Sequence, residues 1–418
     1  MAQREIFVYA HWKGMENPCL MGILKVTPSR GKEIFSFEYS REWISSKQAQ
    51  HIDPELQLYS GPQYLRDEKS NFGAFLDSSP DRWGRLLMRR REAALARAET
   101  RKEKTLLESD YLLGVFDQYR IGGLRFKEKE DGPFLNDNKE MASPPWTSLK
   151  ELEHASLQLE RDDITDDPEY LKWLNMLIAP GSSLGGARPK ASVVDQKNNL
   201  WIAKFPSGND NKDIGAWEMV VYELAKKAGL DIAEGKAQKY SGHHHTYLSK
   251  RFDRTKSGDR IHFASAMTLL DYTEGTDFHE GASYLEFAEF LMKNGASVDR
   301  DLEEVWRRIV FSICVRNTDD HLRNHGFLHM ENGWTLSPAF DINPVETGTG
   351  LKLNISESDN SLDLDLAMEV AGYFRLDDQK ANQIIDQVKK SVQGWRISAV
   401  KYKISKAEQE LMSTAFWI

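Results

Sequence analysis

Asn317-Thr318-Asp319-Asp320-His321-Leu322-Arg323-Asn324 and, after an apolar–polar alternating stretch, Phe340-Asp341 are the residues from which the rest of the chain can be read. Asp319 and Asn324 stand five apart, and Asp341 lies 22 residues beyond Asp319. An amide and a carboxylate converging beside one free carboxylate suit a hard cation such as Mg2+, which takes a few such oxygens together with phosphate oxygens. The same intervals separate the base Asp, the metal-binding Asn and the second metal-binding Asp in phosphoryl-transfer loops of the protein-kinase kind. A polar run of this composition also forms turns and helix caps, so its meaning depends on what precedes it.

Upstream, Ala179-Pro180-Gly181-Ser182-Ser183-Leu184-Gly185-Gly186-Ala187-Arg188-Pro189-Lys190 is a small-residue loop ending in a cation. The alternating Ala191–Val194 and then Leu200-Trp201-Ile202-Ala203-Lys204-Phe205 follow it. Gly185 and Gly186 let backbone N–H groups approach a phosphate, and Lys190 and Lys204 can neutralise one. The loop is neither a Walker loop nor the Gly-x-Gly-x-x-Gly of ordinary kinases. The order of parts carries the expectation: glycine loop, strand lysine, a helix bearing Glu218, then the Asp/Asn loop and the second Asp, as in a two-lobed kinase. Glu223 on the same helix is the competing carboxylate for Lys204.

In these residues the chain resembles the HipA-like serine/threonine kinases, the toxins of bacterial toxin–antitoxin modules. The resemblance runs nearly end to end. It includes Ser182–Lys190, Ile202–Pro206, Leu248-Ser249-Lys250-Arg251-Phe252-Asp253-Arg254, Thr318–His321 with Asn324, Ser337–Asp341, and Ser79-Pro80-Asp81-Arg82-Trp83-Gly84-Arg85. It implies an α+β, two-lobed protein-kinase-like fold with an N-terminal β-rich module and an α-helical C-lobe. It further implies ATP and Mg2+ as cofactors, Asp319 as catalytic base, Asn324 and Asp341 as metal ligands, and Lys204 as the phosphate-pairing lysine. Lys250, Arg251 and Phe252 would form the hinge that meets adenine, with His321 and Phe340 also lining the nucleotide site. The glycine loop, from Gly185 and Gly186 through Ala187 and Arg188 to Lys190, would hold the phosphates, and Ser183 or Ser182 would be autophosphorylated. The expected substrate is a translation component such as an aminoacyl-tRNA synthetase, the expected partner a helix-turn-helix antitoxin, and DNA is met only through that partner. The loop reads Gly-Gly-Ala-Arg-Pro where some members carry Gln and Glu, a departure that bears on phosphate contacts.

Composition is consistent with this. A chain of 418 residues, 40 % of them hydrophobic, is too long for one core and suits two or three domains. A net charge of −9 argues against a nucleic-acid footprint spread over the surface. Only Cys19 and Cys314 are present, which excludes a disulfide framework and fits a reducing cytoplasm. No apolar signal core opens the sequence and no run of about 18 apolar residues could span a bilayer.

Along the chain, Ile6–Ala10, Met21–Val26 and Glu33–Tyr39 predict strands, and the arginine-rich stretch 81–104 predicts a helix with a basic face. That face is read either as solvated and paired with nearby acids or as a docking surface for an acidic or nucleic-acid partner. Residues 129–167 predict a loop and then a helix, 212–230 an amphipathic helix, and Tyr284–Asn294, Asp301–Val315, Asp377–Val392 and Lys406–Phe416 further helices. Expected boundaries are 1–110 for the β-rich module with its basic helix, 111–255 for the nucleotide-binding lobe and 256–418 for the helical lobe. His243-His244-His245 is read as a turn, because adjacent residues cannot all face one ion. Two other classes are weighed: a metal-dependent phosphohydrolase using Asp319, Asp320, His321 and His325, and an inactive kinase-fold interaction protein.

Overall fold

Period-two alternation builds the first sheet. In β3 (Lys32–Tyr39) Phe35, Phe37 and Tyr39 are buried and their neighbours are not. Strands β1 (Arg4–Ala10) and β2 (Cys19–Ser29) add Ile6, Val8, Met21, Leu24 and Val26 to the same core. With β4 (Gln63–Tyr64) and β5 (Leu124–Lys127) they form an antiparallel sheet in the order β4-β3-β2-β1-β5. Short helices α1 (Arg41–Ser45) and α2 (Gly73–Asp77) bring Trp43, Phe72 and Phe75 onto that core. The three strands expected from composition are therefore present.

This computed structural model describes residues 3–66, 69–139, 144, 146–161, 164–165, 167–178 and 188–416. The chain divides into two compact units, Met1–Gly208 with Asp253–Ala264, and Asn209–Phe252 with Ser265–Ile418. Asp253–Ala264, a segment after the expected hinge, thus belongs to the first unit.

The first unit continues with α3 (Arg82–Ala98), α4 (Glu108–Leu113), α5 (Leu149–Leu159), α6 (Tyr170–Leu177) and the hairpin of β6 (Lys190–Val194) and β7 (Leu200–Lys204). The basic face of α3 and its extension is largely spent internally. Arg85 grips Glu108 through both terminal nitrogens, at 2.5 and 2.8 Å. Arg101 pairs with Glu92 and Glu99, and Arg90 donates to the Leu159 carbonyl. Of the two readings of this face, pairing with nearby groups is the one the geometry supports. Buried Arg120 donates at 2.8 to 3.0 Å to the carbonyls of Ser78, Leu112, Val115 and Leu135, and burial pulls its pKa down to about 10. The returning segment is tied to the loop that holds Arg120. Gly122 N–H donates to Asp253 at 2.9 Å, and Arg254 donates to the Arg120 carbonyl at 2.8 Å. Gly122 has φ +68°, the left-handed region that glycine enters at least cost.

In the second unit α7 (Ile214–Lys227) precedes the hairpin of β8 (Gly235–Gln238) and β9 (Thr246–Lys250). Asp213 caps α7 through Ala216 N–H at 3.1 Å and takes the backbone N–H of His245 at 2.8 Å. A Cβ on Gly215 would stand 2.1 Å from the His245 carbonyl oxygen, so only glycine lets helix and strand meet there. β10 (Phe263–Ser265) carries the chain from the first unit into the second, where α8 (Ala266–Leu269), α9 (Tyr284–Asn294) and α10 (Val298–Cys314) follow. The hairpin of β11 (Gly326–Met330) and β12 (Gly333–Leu336) follows, then α11 (Leu364–Glu369), α12 (Asp378–Val392), α13 (Trp395–Lys401) and α14 (Lys406–Leu411). Helix α10 buries Leu302, Val305, Trp306, Ile309, Val310 and Ile313. The helix expected over Lys406–Phe416 stops at Leu411 and tightens into a 3-10 turn. There Ser413 donates to the Glu410 carbonyl and Thr414 to that of Glu346, hydroxyls competing with the helical ladder.

Asp81 holds the first unit together at a point composition does not reveal. One oxygen caps α3 through Gly84 N–H at 2.8 Å, and the other meets Lys190 Nζ at 3.0 Å with both groups buried. Trp83 Nε1 donates to the Lys190 carbonyl at 3.1 Å. Asp81→Ala removes a cap, worth about 1 kcal/mol, and breaks a buried ion pair, worth about 3 kcal/mol or more. We expect its urea midpoint to fall well below that of Glu108→Ala, which breaks a partly exposed pair.

Candidate active site

Helix α10 ends at Cys314, and Arg316 at φ +46° turns the chain into the loop 317–325. Two donors converge on the Asp319 carbonyl, His321 N–H at 2.9 Å and Asn324 Nδ2 at 3.0 Å, while the Asp319 side chain is exposed. The Asn324 amide cannot be turned over, because that would set two oxygens against each other. Its Oδ1 is buried and has no hydrogen-bond partner among the described residues. An acceptor so placed is costly unless something binds it, and a neutral oxygen fits a hard cation.

Asp320, next in sequence, points the other way. Its carboxylate is buried and accepts from Tyr284 Oη at 2.5 Å and Ser312 Oγ at 3.4 Å, with His325 Nε2 3.0 Å from its other oxygen. Burial alone would raise this carboxyl, but the imidazole of His325 beside it, the hydrogen bond from Tyr284, and nearby His321 outweigh it and hold the group below its usual range. Burial and then the Asp320 charge push the Tyr284 phenol far up, so it stays a donor.

Asp341 stands at φ +57°, sparsely populated for a residue with a side chain, with Asn343 Nδ2 donating to its Oδ1 at 2.9 Å. The segment leading to it is fixed on both sides. Arg308 on α10 donates to the Ser337 carbonyl at 2.7 Å, and Ala339 exchanges backbone bonds with Asp231 and Ala233 at 2.7 and 2.9 Å. Phe340 packs on Phe252, ring centroids 5.5 Å apart, so the phenylalanine of the expected hinge and the residue before Asp341 are neighbours. Arg251 is buried, and Lys250 lies 3.7 Å from Glu234. Buried Tyr247 on β9 has its phenol raised by burial and then by Glu218, Tyr222, Asp341 and Tyr402.

Lys204 is buried on β7, opposite Lys190 in the hairpin register, and the Lys190 ammonium is engaged by Asp81. Arg188 is partly exposed. Ser182, Ser183, Gly185, Gly186 and Ala187 lie outside the described residues. Of the two carboxylates weighed for Lys204, Glu223 is committed to Lys401, Tyr402 and Ser398, whereas Glu218 is buried in α7. His245 pairs with Asp213 at 2.7 Å, a structural use of the histidine tract. Cys314 is buried and its thiol pushed up to about 12 by that burial. Among the described residues no group of three or more His, Cys, Asp or Glu could cage a metal ion, and Asp320 and His325 are spent on each other and on Tyr284. The two-ion hydrolase reading therefore lacks convergent ligands among them. Sequence reading missed Asp320 as a buried anchor, Tyr284 as its donor and Asn343 as the support of Asp341. The Asp-x-Asn spacing at 341–343 was the one available signal.

Residues 182–395 match the HipA-like C-terminal domain, just over half of the chain, and the protein belongs to that family. A curated protein of Haemophilus influenzae (strain Rd) named "Putative kinase" is 27% identical over 180 residues, covering 38% of this chain and 52% of that protein. A Sinorhizobium fredii protein named "Putative kinase Y4mE" is 26% identical over 147 residues, covering 34% of this chain and 33% of its own length. The match thus spans about half or less of these relatives. Among solved structures, a HipA chain from the Shewanella oneidensis MR-1 toxin–antitoxin system, crystallised with HipB and operator DNA, superposes with a TM-score of 0.63. It shares 16% identity, covering 98% of this chain and 94% of that one, and the likeness establishes the expected α+β, HipA-like kinase fold. No helix among the described residues is long and apolar enough to cross a membrane.

The depressed Asp320 carboxyl fixes the sign of an acid effect. Its contribution to stability is present above the unfolded carboxyl value of about 4 and is lost as pH falls through the lower folded value. The stability difference between wild type and Asp320→Asn, measured by urea unfolding, should therefore shrink as pH falls below about 4.

Proposed function

We propose that this protein is an ATP- and Mg2+-dependent serine/threonine protein kinase of the HipA type. What carries this reading is the pairing of an exposed Asp319 carboxylate with an Asn324 amide whose oxygen is buried and unbonded among the described residues, on one loop. Asp319 would accept the proton of a substrate hydroxyl. Asn324 Oδ1 and the Asp341 carboxylate would hold Mg2+, which when bound neutralises the β- and γ-phosphate oxygens. Lys204, with Arg188 and the 182–190 loop, would orient the phosphates, and Lys250, Arg251, Phe252, His321 and Phe340 would meet the nucleoside.

The S. oneidensis toxin–antitoxin complex supports a toxin role with an antitoxin as partner; by the family resemblance that antitoxin would be a helix-turn-helix protein, the substrate a translation component such as an aminoacyl-tRNA synthetase, and the location the cytoplasm. DNA would be met only through that antitoxin. Asp319→Ala should lower phosphotransfer by about 10²–10⁴-fold while keeping thermal stabilisation by Mg·ATP. Asp341→Ala should lose that stabilisation. Full activity in Asp319→Ala sinks the assignment, and equal toxicity of wild type and Asp319→Ala on expression sinks the toxin reading.

Ser183, or less favourably Ser182, would be the site of self-modification. A phosphoserine brings about −1.5 to −2 charges into a site built for an anion, so it should repel nucleotide or move onto Arg188 and turn the enzyme down. Peptide mapping should find phosphate on 182–183 in wild type and none in Asp319→Ala. Phosphate that persists in the inactive variant argues for another kinase as its source.

A further inference from the structure

We propose that Asp320 is a positioning residue for the phosphotransfer reaction, setting the place of the Asp319 carboxylate from inside the protein. The inference rests on the reading of Asp319 as base. Adjacent residues of an irregular loop face opposite ways: Asp319 is exposed, and Asp320 is 3% exposed. The loop has little secondary structure beyond the short turn Leu322–Asn324 and the bonds onto the Asp319 carbonyl, and what Asp320 binds ties it to the interior. Those partners come from three places in the second unit. Tyr284 is the first residue of α9, Ser312 lies in the last turn of α10, and His325 follows the turn.

The network continues past Asp320. Asn317 Nδ2 donates to Ser312 Oγ at 3.4 Å, its Oδ1 accepts from Asn343 N–H at 3.3 Å, and Asn343 Nδ2 holds Asp341. Both segments that carry reactive-site carboxylates are thus joined by one chain of hydrogen bonds, buried at Asp320 and part-buried at Asn343. An isosteric amide at 320 keeps the volume but replaces one acceptor with a donor, which would face Tyr284 or His325. The loop then loses one tie while the fold keeps its packing.

Misplacing a catalytic group by about 1 Å costs on the order of 100-fold in rate. Asp320→Asn should therefore lower kcat about 10–100-fold with KM for ATP and thermal stabilisation by Mg·ATP close to wild type. Tyr284→Phe should lower kcat in the same direction by less. A residue that acts through Asp319 has nothing left to act on when Asp319 is gone. In an Asp319→Ala background Asp320→Asn should add less than about threefold to the loss. Additive losses, an unchanged kcat in Asp320→Asn, or parallel loss of ATP stabilisation overturn the positioning role. Should Asp320→Asn fail to fold, Tyr284→Phe alone and on Asp319→Ala is judged by the same criteria. Wild-type activity in Asp319→Ala would instead remove the base assignment, a result separate from any of these.

Discussion

A carboxylate taken out of water is what the loop 317–325 is organised around. Moving Asp320 into the interior costs several kcal/mol, and that cost is offset only if its oxygens are met by well-placed donors. Tyr284 and Ser312 donate to one oxygen from a helix start and a helix end, and His325 in the loop itself stands 3.0 Å from the other. Such a group tolerates few alternative geometries, because losing any donor returns part of the desolvation cost. The exposed neighbour Asp319 inherits that rigidity through one peptide unit.

The same device recurs where a helix must meet a strand within one unit. Asp81 and Asp213 each use one oxygen on the backbone at a helix start and the other on a distant cation or imidazole, Lys190 and His245. A Ser or Thr cap would supply the first bond but not the second. Capping therefore does two jobs, and the second is the longer-ranged: 109 residues separate Asp81 from Lys190. In the second unit the result is a fixed α7, with Glu218 buried and Glu223 turned toward the C-terminal helices.

What could be read from the sequence followed local rules. The strands of β1 to β3, the helix 284–294 and the five-residue interval from Asp319 to Asn324 each depend on neighbours within a few positions. The unread features depend on partners far along the chain. Nothing local distinguishes Asp320 from Asp319; only burial against Tyr284, 36 residues earlier, separates their roles. The basic stretch 81–104 invited a docking surface because composition counts charges without their partners, and Glu108, Glu92 and the Leu159 carbonyl take up much of it. The pairing of Lys190 with Asp81 is hidden from local sequence for the same reason.

Asp341 shows how a left-handed backbone is supported at a residue that carries a side chain. Its left-handed backbone costs about 1 kcal/mol or more for any residue but glycine, and glycine there would remove the carboxylate. Asp is among the residues that tolerate this region best, because its short side chain can be held locally. Asn343, two residues on, provides that hold by donating to one carboxylate oxygen, and its own N–H is anchored to Asn317. The second carboxylate oxygen keeps its orientation because the first is tied. The support for the strained residue therefore comes from the same asparagine chain that ends at Asp320, so the conformation of one carboxylate depends on the burial of the other.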